Sequence, residues 1–290
     1  MTDGVIVKGV GGFYYVSAKD GVYECRARGK FRRQGIKPMV GDKVKIAIVS
    51  SDNMEGAVDY IYERKNALVR PPVANIDCIV IVAAVTNPEP DYFMIDKLIV
   101  NAEIKNIDVI IAANKTDLKS YDKIKSIYEN AGYEVFAVCA ETGDGMEELK
   151  NRIRGKITAF AGNSGVGKSS ILNRFGLSLQ TGEISRIDRG KHTTRHVELF
   201  NVYKNTYVMD TPGFSILEIT ETESARLKEY FKEFKAYNDK CRFAGCDHYG
   251  AKPKDCAVIN AVKSGDISDS RFESYTQLYS ELKEVKKWDK

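Results

Sequence analysis

The chain has 290 residues, of which 43% are hydrophobic and 29% charged, and its formal net charge is only +4. This size and composition, without any low-complexity run, indicate a globular protein of two or three domains, and the small net charge alone does not imply nucleic-acid binding. The first residues lack the pattern of a secretory signal, and no later apolar run is long enough to span a bilayer. We therefore expect a cytoplasmic protein that works without a membrane.

Short runs of β-branched and aromatic residues fill the first part of the chain. They include Val5 to Val10, Phe13 to Val16 and Val44 to Val49, separated by turns that contain glycine. The pattern predicts a five-stranded barrel of the oligonucleotide-binding (OB) type over residues 1–65. Eight cations against two acids between residues 23 and 45 favour an RNA-binding face. A solvated charged surface on an ordinary β domain explains the same excess.

Apolar strand patterns alternate with amphipathic ones from about residue 66. Strand patterns at Cys78 to Val85, Val109 to Ala113 and Ile157 to Ala161 are separated by helical patterns such as Tyr92 to Lys105. The alternation predicts an α/β domain with a parallel sheet over residues 66–218. Apolar stripes at helical spacing then predict a helical domain over residues 219–290, in which the stripes are core packing and not ligand sites.

A phosphate-binding motif follows the strand pattern that ends at Ala161. The segment that matches G-x-x-x-x-G-K-[ST] is Gly162-Asn163-Ser164-Gly165-Val166-Gly167-Lys168-Ser169, with Ser170 after it in a predicted helix. The glycines allow backbone amides to surround phosphate groups, and the N-terminus of the helix adds its dipole. We expect Lys168 to reach the β and γ phosphates and Ser169 to bind Mg²⁺.

An Asp-Thr-Pro-Gly segment follows the strand pattern of Tyr207 to Met209. Its position predicts that Asp210 holds the magnesium ion through water and that the Gly213 amide donates to the γ phosphate. A polar turn that closes a buried strand is the alternative.

A guanine-reading motif stands at the end of another predicted strand. It is Asn114-Lys115-Thr116-Asp117, in which the carboxylate of Asp117 can accept hydrogen bonds from the ring nitrogen and the exocyclic amine of guanine. Adenine offers no such pair of donors. Cys139 and Ala140 follow the next predicted strand and are expected to form a supporting loop on the base side.

Three cysteines and one histidine cluster near the end of the chain. Cys241, Cys246, His248 and Cys256 follow the spacing C-x4-C-x-H-x7-C. Three thiolates and one imidazole suit a closed tetrahedral site, so we expect one structural Zn²⁺. The alternative is that these cysteines are incidental free thiols. Of the four residues, Cys256 is the one whose assignment as a ligand depends most on the length of the last interval, from His248 to Cys256.

The nucleotide motifs are those of translation-factor-type GTPases, but the guanine motif precedes the phosphate loop, as in a circularly permuted domain. With the barrel before it and the cysteine cluster behind it, the chain resembles the RsgA (YjeQ or YloQ) family over essentially its whole length. The resemblance implies a multidomain α/β GTP hydrolase that assists late maturation of the small ribosomal subunit. It further implies binding of the subunit and its rRNA, Mg²⁺ with GTP or GDP, and hydrolysis that the subunit stimulates and that triggers release. We expect a monomer.

The predicted switch segment runs from Gly190 to His196. Thr194 is the expected second protein ligand of magnesium, and the family resemblance points to His192 as the catalytic residue that assists hydrolysis. Phe214 stands where many GTPases carry a glutamine that orients the attacking water, so another group must supply that function. The alternative is that the histidines of the segment are ordinary polar residues of a loop.

Two other functions fit part of the pattern. One is a nucleic-acid-binding module whose nucleotide site only switches affinity or is vestigial, and the intact Lys168, Ser169 and Asp210 argue against a vestigial site. The other is an ATP-dependent kinase, against which Asn114 and Asp117 argue because they select guanine.

Overall fold

A closed five-stranded barrel forms the first part of the protein, with strand order β1-β2-β3-β5-β4. A computed structural model describes residues 1–69, 71–179, 197–210, 219 and 221–288, the last four of these without their side chains. Ile6, Val16, Tyr23 and Val44 are among the buried side chains that fill the barrel, which confirms the predicted OB-type domain. The elements are β1 (Thr2–Val10), β2 (Phe13–Ala18), β3 (Gly21–Ala27), α1 (Gly29–Arg33), β4 (Lys43–Ser50) and β5 (Glu55–Ile61).

A short hairpin, β6 (Ala67–Val69) and β7 (Pro72–Ala74), leads out of the barrel and packs against it. The Ala74 N–H donates to the carbonyl of Val40 at 2.8 Å. Gly41 has a φ of +87°, and a Cβ there would lie 2.0 Å from the carbonyl oxygen of Ala74. Glycine is therefore required where hairpin and barrel meet.

A six-stranded sheet of order β10-β9-β8-β11-β13-β12 forms the centre. Its strands are parallel except β12, which runs antiparallel to β13. Helices α2 and α3 pack on one face of the sheet through buried side chains such as Ile95 and Tyr128. Helices α4 and α5 pack on the other face through side chains such as Leu149 and Ile171. The elements are β8 (Cys78–Ala84), α2 (Tyr92–Ile104), β9 (Asp108–Asn114), α3 (Asp122–Asn130), β10 (Glu134–Ala137), α4 (Met146–Arg152), β11 (Ile157–Ala161), α5 (Lys168–Arg174), β12 (Phe200–Tyr203) and β13 (Thr206–Asp210).

The last part contains short 3-10 helices followed by α6 (Ala257–Ser264) and α7 (Asp269–Trp288). The predicted stripe of Leu227, Phe231 and Phe234 is buried, but it does not lie on a continuous α-helix. Leu227 lies on the 3-10 helix Ser224–Tyr230, Phe234 on the 3-10 helix Lys232–Ala236, and Phe231 between them. The reason is the extended backbone of Phe231, with φ −104° and ψ 97°, which separates the two turns.

One buried ion cluster ties this part to the central sheet domain. Arg271 of α7 donates to Asp96 of α2 and to Glu233, each at 2.7 Å, and its side chain is fully buried. Because a buried guanidinium is stable only with such partners, the cluster fixes α7 against α2. Within the described part of the chain, no helix is long and apolar enough to cross a membrane.

Candidate functional site

The predicted nucleotide motifs meet at one edge of the central sheet. Asn114 ends β9, Ala161 ends β11 and Asp210 ends β13, and these three strands run parallel. In parallel α/β sheets the carboxyl ends of the strands are where ligands bind. The fold thus collects motifs that are up to about a hundred residues apart in the sequence.

The phosphate loop, residues 162–169, connects β11 to α5. Gly162 and Gly167 have φ values of +140° and +95°, and a Cβ at Gly162 would lie 2.3 Å from the carbonyl oxygen of Val82. Both glycines are therefore required by backbone geometry and close packing. The remaining residues of the predicted phosphate motif lie in the same turn: Asn163, Ser164, Gly165 and Val166.

Lys168 and Ser169 are the first two residues of α5, and Ser170 follows in the same turn. The Lys168 Nζ donates to the carbonyls of Gly162 at 2.7 Å and Asn163 at 2.8 Å, so the ammonium lies over the loop. Burial lowers the pKa of Lys168, and the nearby Asp210 carboxylate opposes that shift. A half-buried ammonium at a helix N-terminus, with a carboxylate nearby, has the chemistry of a site for phosphate and magnesium.

Asn114 connects the phosphate loop to the base side. Its Nδ2 donates to the carbonyl of Val166 at 2.9 Å, and its Oδ1 accepts from the Ala140 N–H at 3.1 Å. Lys115 has a left-handed backbone, with φ +67°, and its Nζ donates to the carbonyl of Gly165 at 3.0 Å. The guanine motif is therefore bonded directly to the phosphate loop.

The base loop, residues 139–143, lies beside Asp117. The Cys139 thiol donates to the Asp117 carboxylate at 3.1 Å, and the Thr142 N–H donates to the Cys139 sulfur at 3.4 Å. Cys139 thus takes part in the arrangement through its side chain, which bonds both to Asp117 and to the loop backbone. The same carboxylate has the acceptor oxygens that guanine recognition needs.

Several predicted site residues lie outside the described residues. They are the proposed catalytic His192, the proposed magnesium ligand Thr194 and the proposed phosphate-binding Gly213. Phe214, Arg195 and His196 also lie outside them.

The predicted metal ligands form a compact cluster that could hold a metal ion. The ligand atoms of Cys241, Cys246, His248 and Cys256 all lie within 4.8 Å of one another. The Nδ1 atom of His248 lies 3.6 Å from the sulfur of Cys241 and 3.4 Å from that of Cys256, and these two sulfurs are 4.0 Å apart. A tetrahedral zinc ion requires about 3.6 Å between nitrogen and sulfur and about 3.8 Å between sulfurs, given its usual bond lengths. The residues therefore fit zinc.

Asn238 supports this cluster, and the sequence pattern did not indicate it. Its Oδ1 lies 2.9 Å from Nε2 of His248, on the side of the ring away from the sulfurs. An acceptor there fixes the proton on Nε2 and leaves Nδ1 free to bind a metal. Burial lowers the pKa of His248 to about 4, so the ring is neutral at pH 7.

The basic surface of the barrel is smaller than the sequence count suggests. Arg28 and Lys30 pair with Asp59, an acid of β5 that lies outside the counted segment. Arg32 and Arg33 on α1 are exposed, and Arg26 stacks over the Phe13 ring with 4.6 Å between Cζ and the ring centroid. Exposed cations beside an aromatic ring are typical of a surface that contacts nucleic acid.

Comparison with known proteins gives the same pattern over the whole chain. Residues 61–220 match the family model described as RsgA GTPase, and residues 3–58 match the RsgA N-terminal domain. A small ribosomal subunit biogenesis GTPase RsgA of Alkaliphilus metalliredigens is 43% identical, over 99% of this chain and 100% of its own length. One of the same name from Caldanaerobacter subterraneus subsp. tengcongensis is 45% identical, over 98% and 97% of the two chains.

Two solved structures share the fold. YjeQ from Thermotoga maritima is similar with a TM-score of 0.82 and 36% identity, over 97% of this chain and 98% of its own. YloQ, described as a circularly permuted GTPase, gives a TM-score of 0.81 and 35% identity over 98% and 96% of the two chains. The permuted order of motifs and the three-part architecture are thus shared with known structures.

Proposed function

The chain belongs to the RsgA GTPase family, and from this premise we propose that it hydrolyses GTP to GDP and phosphate during late maturation of the small ribosomal subunit. The observation that carries the proposal is a pair of hydrogen bonds made by the Asn114 side-chain amide, one to the phosphate loop and one to the base loop. One buried side chain thereby holds a phosphate-binding and a guanine-reading element in a fixed relation. A protein that binds a nucleotide by both its phosphates and its base needs these two elements at a fixed distance from each other.

Guanine recognition is proposed to rest on Asp117. Its carboxylate accepts from the ring N–H and the exocyclic amine of guanine, while the backbone of Cys139 and Ala140 faces the carbonyl edge. Lys115 links the guanine motif to the phosphate loop through the hydrogen bond that its Nζ donates to the Gly165 carbonyl. Adenine presents an amine where guanine has its carbonyl, so this set of groups disfavours ATP.

Phosphate and magnesium binding is proposed for the loop from Gly162 to Ser170. Lys168 is suited to the β and γ phosphates because its ammonium already lies over the loop, and the hydroxyl of Ser169 is suited to Mg²⁺. Asp210 would hold the ion through water, with Thr194 as the further ligand and Gly213 as a donor to the γ phosphate. Bound magnesium supplies charge neutralisation for the leaving phosphate.

Hydrolysis is proposed to depend on His192 and on the ribosomal subunit. A phenylalanine cannot orient the attacking water, and Phe214 occupies the position where many GTPases carry a glutamine. A nearby imidazole can accept a hydrogen bond from water, so His192 is the proposed catalytic residue. We propose that the subunit stimulates this step and that hydrolysis triggers release.

The flanking parts are proposed to bind rRNA. Arg26, Arg32 and Arg33 give the barrel, residues 1–65, exposed cations for phosphate contacts, and the zinc-binding domain, residues 219–290, carries the exposed Lys252 and Lys254 near its cluster. The GTPase domain between them spans residues 66–218 in this proposal. We further propose that the protein acts on its ribosomal partner in the cytoplasm, as a monomer and without a membrane.

The C-terminal cluster is proposed to bind one structural zinc ion. Its four ligands close the tetrahedron, so no position remains for a substrate. The ion would then hold the segment from Cys241 to Cys256 in place against α7, where Tyr275 and Tyr279 donate to Asp247 next to His248.

Turnover of GTP and ATP by the purified protein, with and without small ribosomal subunits, tests the proposed function. The expected result is slow hydrolysis of GTP alone, faster hydrolysis with the subunit and negligible hydrolysis of ATP. GTP turnover that the subunit leaves unchanged would contradict the proposed dependence on it. Equal turnover of ATP would contradict the guanine assignment.

A further inference from the structure

Arg174 is the last residue of α5, the seven-residue helix that begins with Lys168. Its Nε donates to the backbone carbonyl of Ala140 at 2.7 Å, and its Nη2 donates to the backbone carbonyl of Glu141. Both carbonyls belong to the base loop. The helix α5 therefore begins with the proposed phosphate-binding residues Lys168 and Ser169, and its last residue, Arg174, is hydrogen-bonded to the base loop.

The base loop is held from two sides. Toward the sheet, Asn114 accepts from the Ala140 N–H and Asp117 accepts from the Cys139 thiol, each at 3.1 Å. Toward α5, the guanidinium of Arg174 bridges two successive carbonyls. Because these carbonyls and the amides of the same loop belong to one short stretch of backbone, we expect loss of the bridge to shift or loosen the whole base loop.

The geometry points to Arg174 as a positioning residue for guanine recognition: it holds the base-loop amides at hydrogen-bonding distance from the O6 carbonyl of the bound base. This inference rests on the proposed GTP site and adds to it a residue outside the nucleotide motifs. A planar guanidinium with donors at Nε and Nη2 matches two neighbouring carbonyls, whereas the ammonium of lysine is a single point donor. Arg174 itself touches neither base nor phosphate in this role.

Arg152 offers a matched control within the same domain. It is also the last residue of a seven-residue helix, α4, and its guanidinium also bridges two partners, Glu134 and Asp108. Those partners begin β10 and β9, at the edge of the sheet opposite the nucleotide loops. Loss of Arg152 therefore perturbs a helix end and its salt bridges without perturbing the base loop.

Calorimetric titration with three diphosphates tests the inference. Guanosine diphosphate carries O6, inosine diphosphate keeps O6 but lacks the exocyclic amine, and 6-thioguanosine diphosphate replaces O6 by sulfur, a weaker acceptor. If Arg174 acts through O6, Arg174→Ala should raise Kd about tenfold for the first two and about twofold or less for the thio analogue. The Kd values of Arg174→Lys should lie between those of Arg174→Ala and wild type. The control Arg152→Ala should leave the three Kd values in their wild-type ratio.

An equal rise for all three nucleotides would overturn the inference, because a general structural defect does not distinguish O6 from sulfur. Unchanged binding of guanosine diphosphate would overturn it as well. If Arg174→Ala does not fold, Arg174→Gln, which keeps one donor group, supplies the same comparison. A wild-type protein that binds ADP as tightly as GDP would contradict the proposed GTP site itself, and this failure is visible before any variant is made.

Discussion

The side-chain amide of Asn114 donates to the backbone carbonyl of Val166 at 2.9 Å and so joins the guanine motif to the phosphate loop. Asn114 is only 2% exposed, and a Cβ at Gly167 would lie 2.2 Å from its Nδ2. The Asn114 amide therefore packs directly against the backbone of the phosphate loop. Asn114 is therefore a buried link between the two halves of the nucleotide site, beside the hydrogen bond from Lys115 to Gly165.

Asn114→Ala should weaken both the fold and the nucleotide site. The change leaves the carbonyl of Val166 and the N–H of Ala140 without their partner in a buried place, which costs about 2–4 kcal/mol of unfolding free energy for the two groups. Denaturant unfolding measures that loss, and calorimetry should show GTP affinity reduced at least about tenfold. Thr116→Val is the matched control, because it removes only the bond to Val138 in the same motif. Wild-type affinity in Asn114→Ala would contradict this account of the site.

Cys256→Ser should remove the metal from the C-terminal domain. Zinc prefers thiolate to hydroxyl ligands, and the remaining three ligands leave the tetrahedron open. Elemental analysis of the purified protein should give about one zinc per wild-type chain and far less in the variant. Cys25→Ser, at a buried thiol inside the barrel, should retain the metal. A full zinc content in Cys256→Ser would show that Cys256 is not a ligand.

Arg32→Ala combined with Arg33→Ala should reduce the salt dependence of binding to the small subunit. Each lost phosphate contact lowers the slope of log affinity against log salt by about 0.7–0.9. Both side chains are exposed, whereas the neighbouring Arg28 and Lys30 are already paired with Asp59. The control is the double alanine variant of Lys123 and Lys125, two exposed lysines of α3. The same slope in wild type and in the Arg32/Arg33 variant would make the barrel surface an ordinary solvated face.

His192→Ala should keep GTP binding and subunit binding but lose most of the stimulation of hydrolysis. Catalytic groups supplied on docking raise turnover in related phosphoryl-transfer enzymes by on the order of 10³ to 10⁵. Single-turnover hydrolysis at saturating subunit measures this factor, with His196→Ala as the control, which should lose much less. Equal stimulation in wild type and His192→Ala would transfer the catalytic role to the ribosome.

The sequence predicts where the nucleotide motifs lie in the fold because the residue types and spacings of these motifs are strict. Only glycine fits at Gly162, and the guanine and phosphate motifs begin directly at the ends of β9 and β11, where a local pattern determines their place. The fold class follows for the same reason, since strand and helix periodicities are local. The cysteine cluster is likewise visible from its ligand types.

The remaining features depend on contacts between distant parts of the chain. Asp59 pairs with Arg28, which lies 31 residues earlier in the sequence. Asn238 is hydrogen-bonded to His248 across an irregular segment that follows no regular spacing. Arg174 stands 34 residues from the carbonyl of Ala140 that it binds. No spacing rule connects such residues, because packing of the finished fold brings them together. The extended break at Phe231 is similar, since helical spacing of the aromatic residues does not distinguish one α-helix from two 3-10 turns.

Asp117→Asn tests the central claim most directly, because it changes which base the site reads. An amide at this position donates where the carboxylate accepted, so it suits xanthine, which has a carbonyl in place of the exocyclic amine of guanine. Turnover is measured with GTP and with xanthosine triphosphate, with and without small ribosomal subunits. Wild type should show subunit-stimulated turnover of GTP, and Asp117→Asn should show it with xanthosine triphosphate instead. Subunit-stimulated GTP turnover that persists unchanged in Asp117→Asn would contradict the claim that this site binds and hydrolyses GTP.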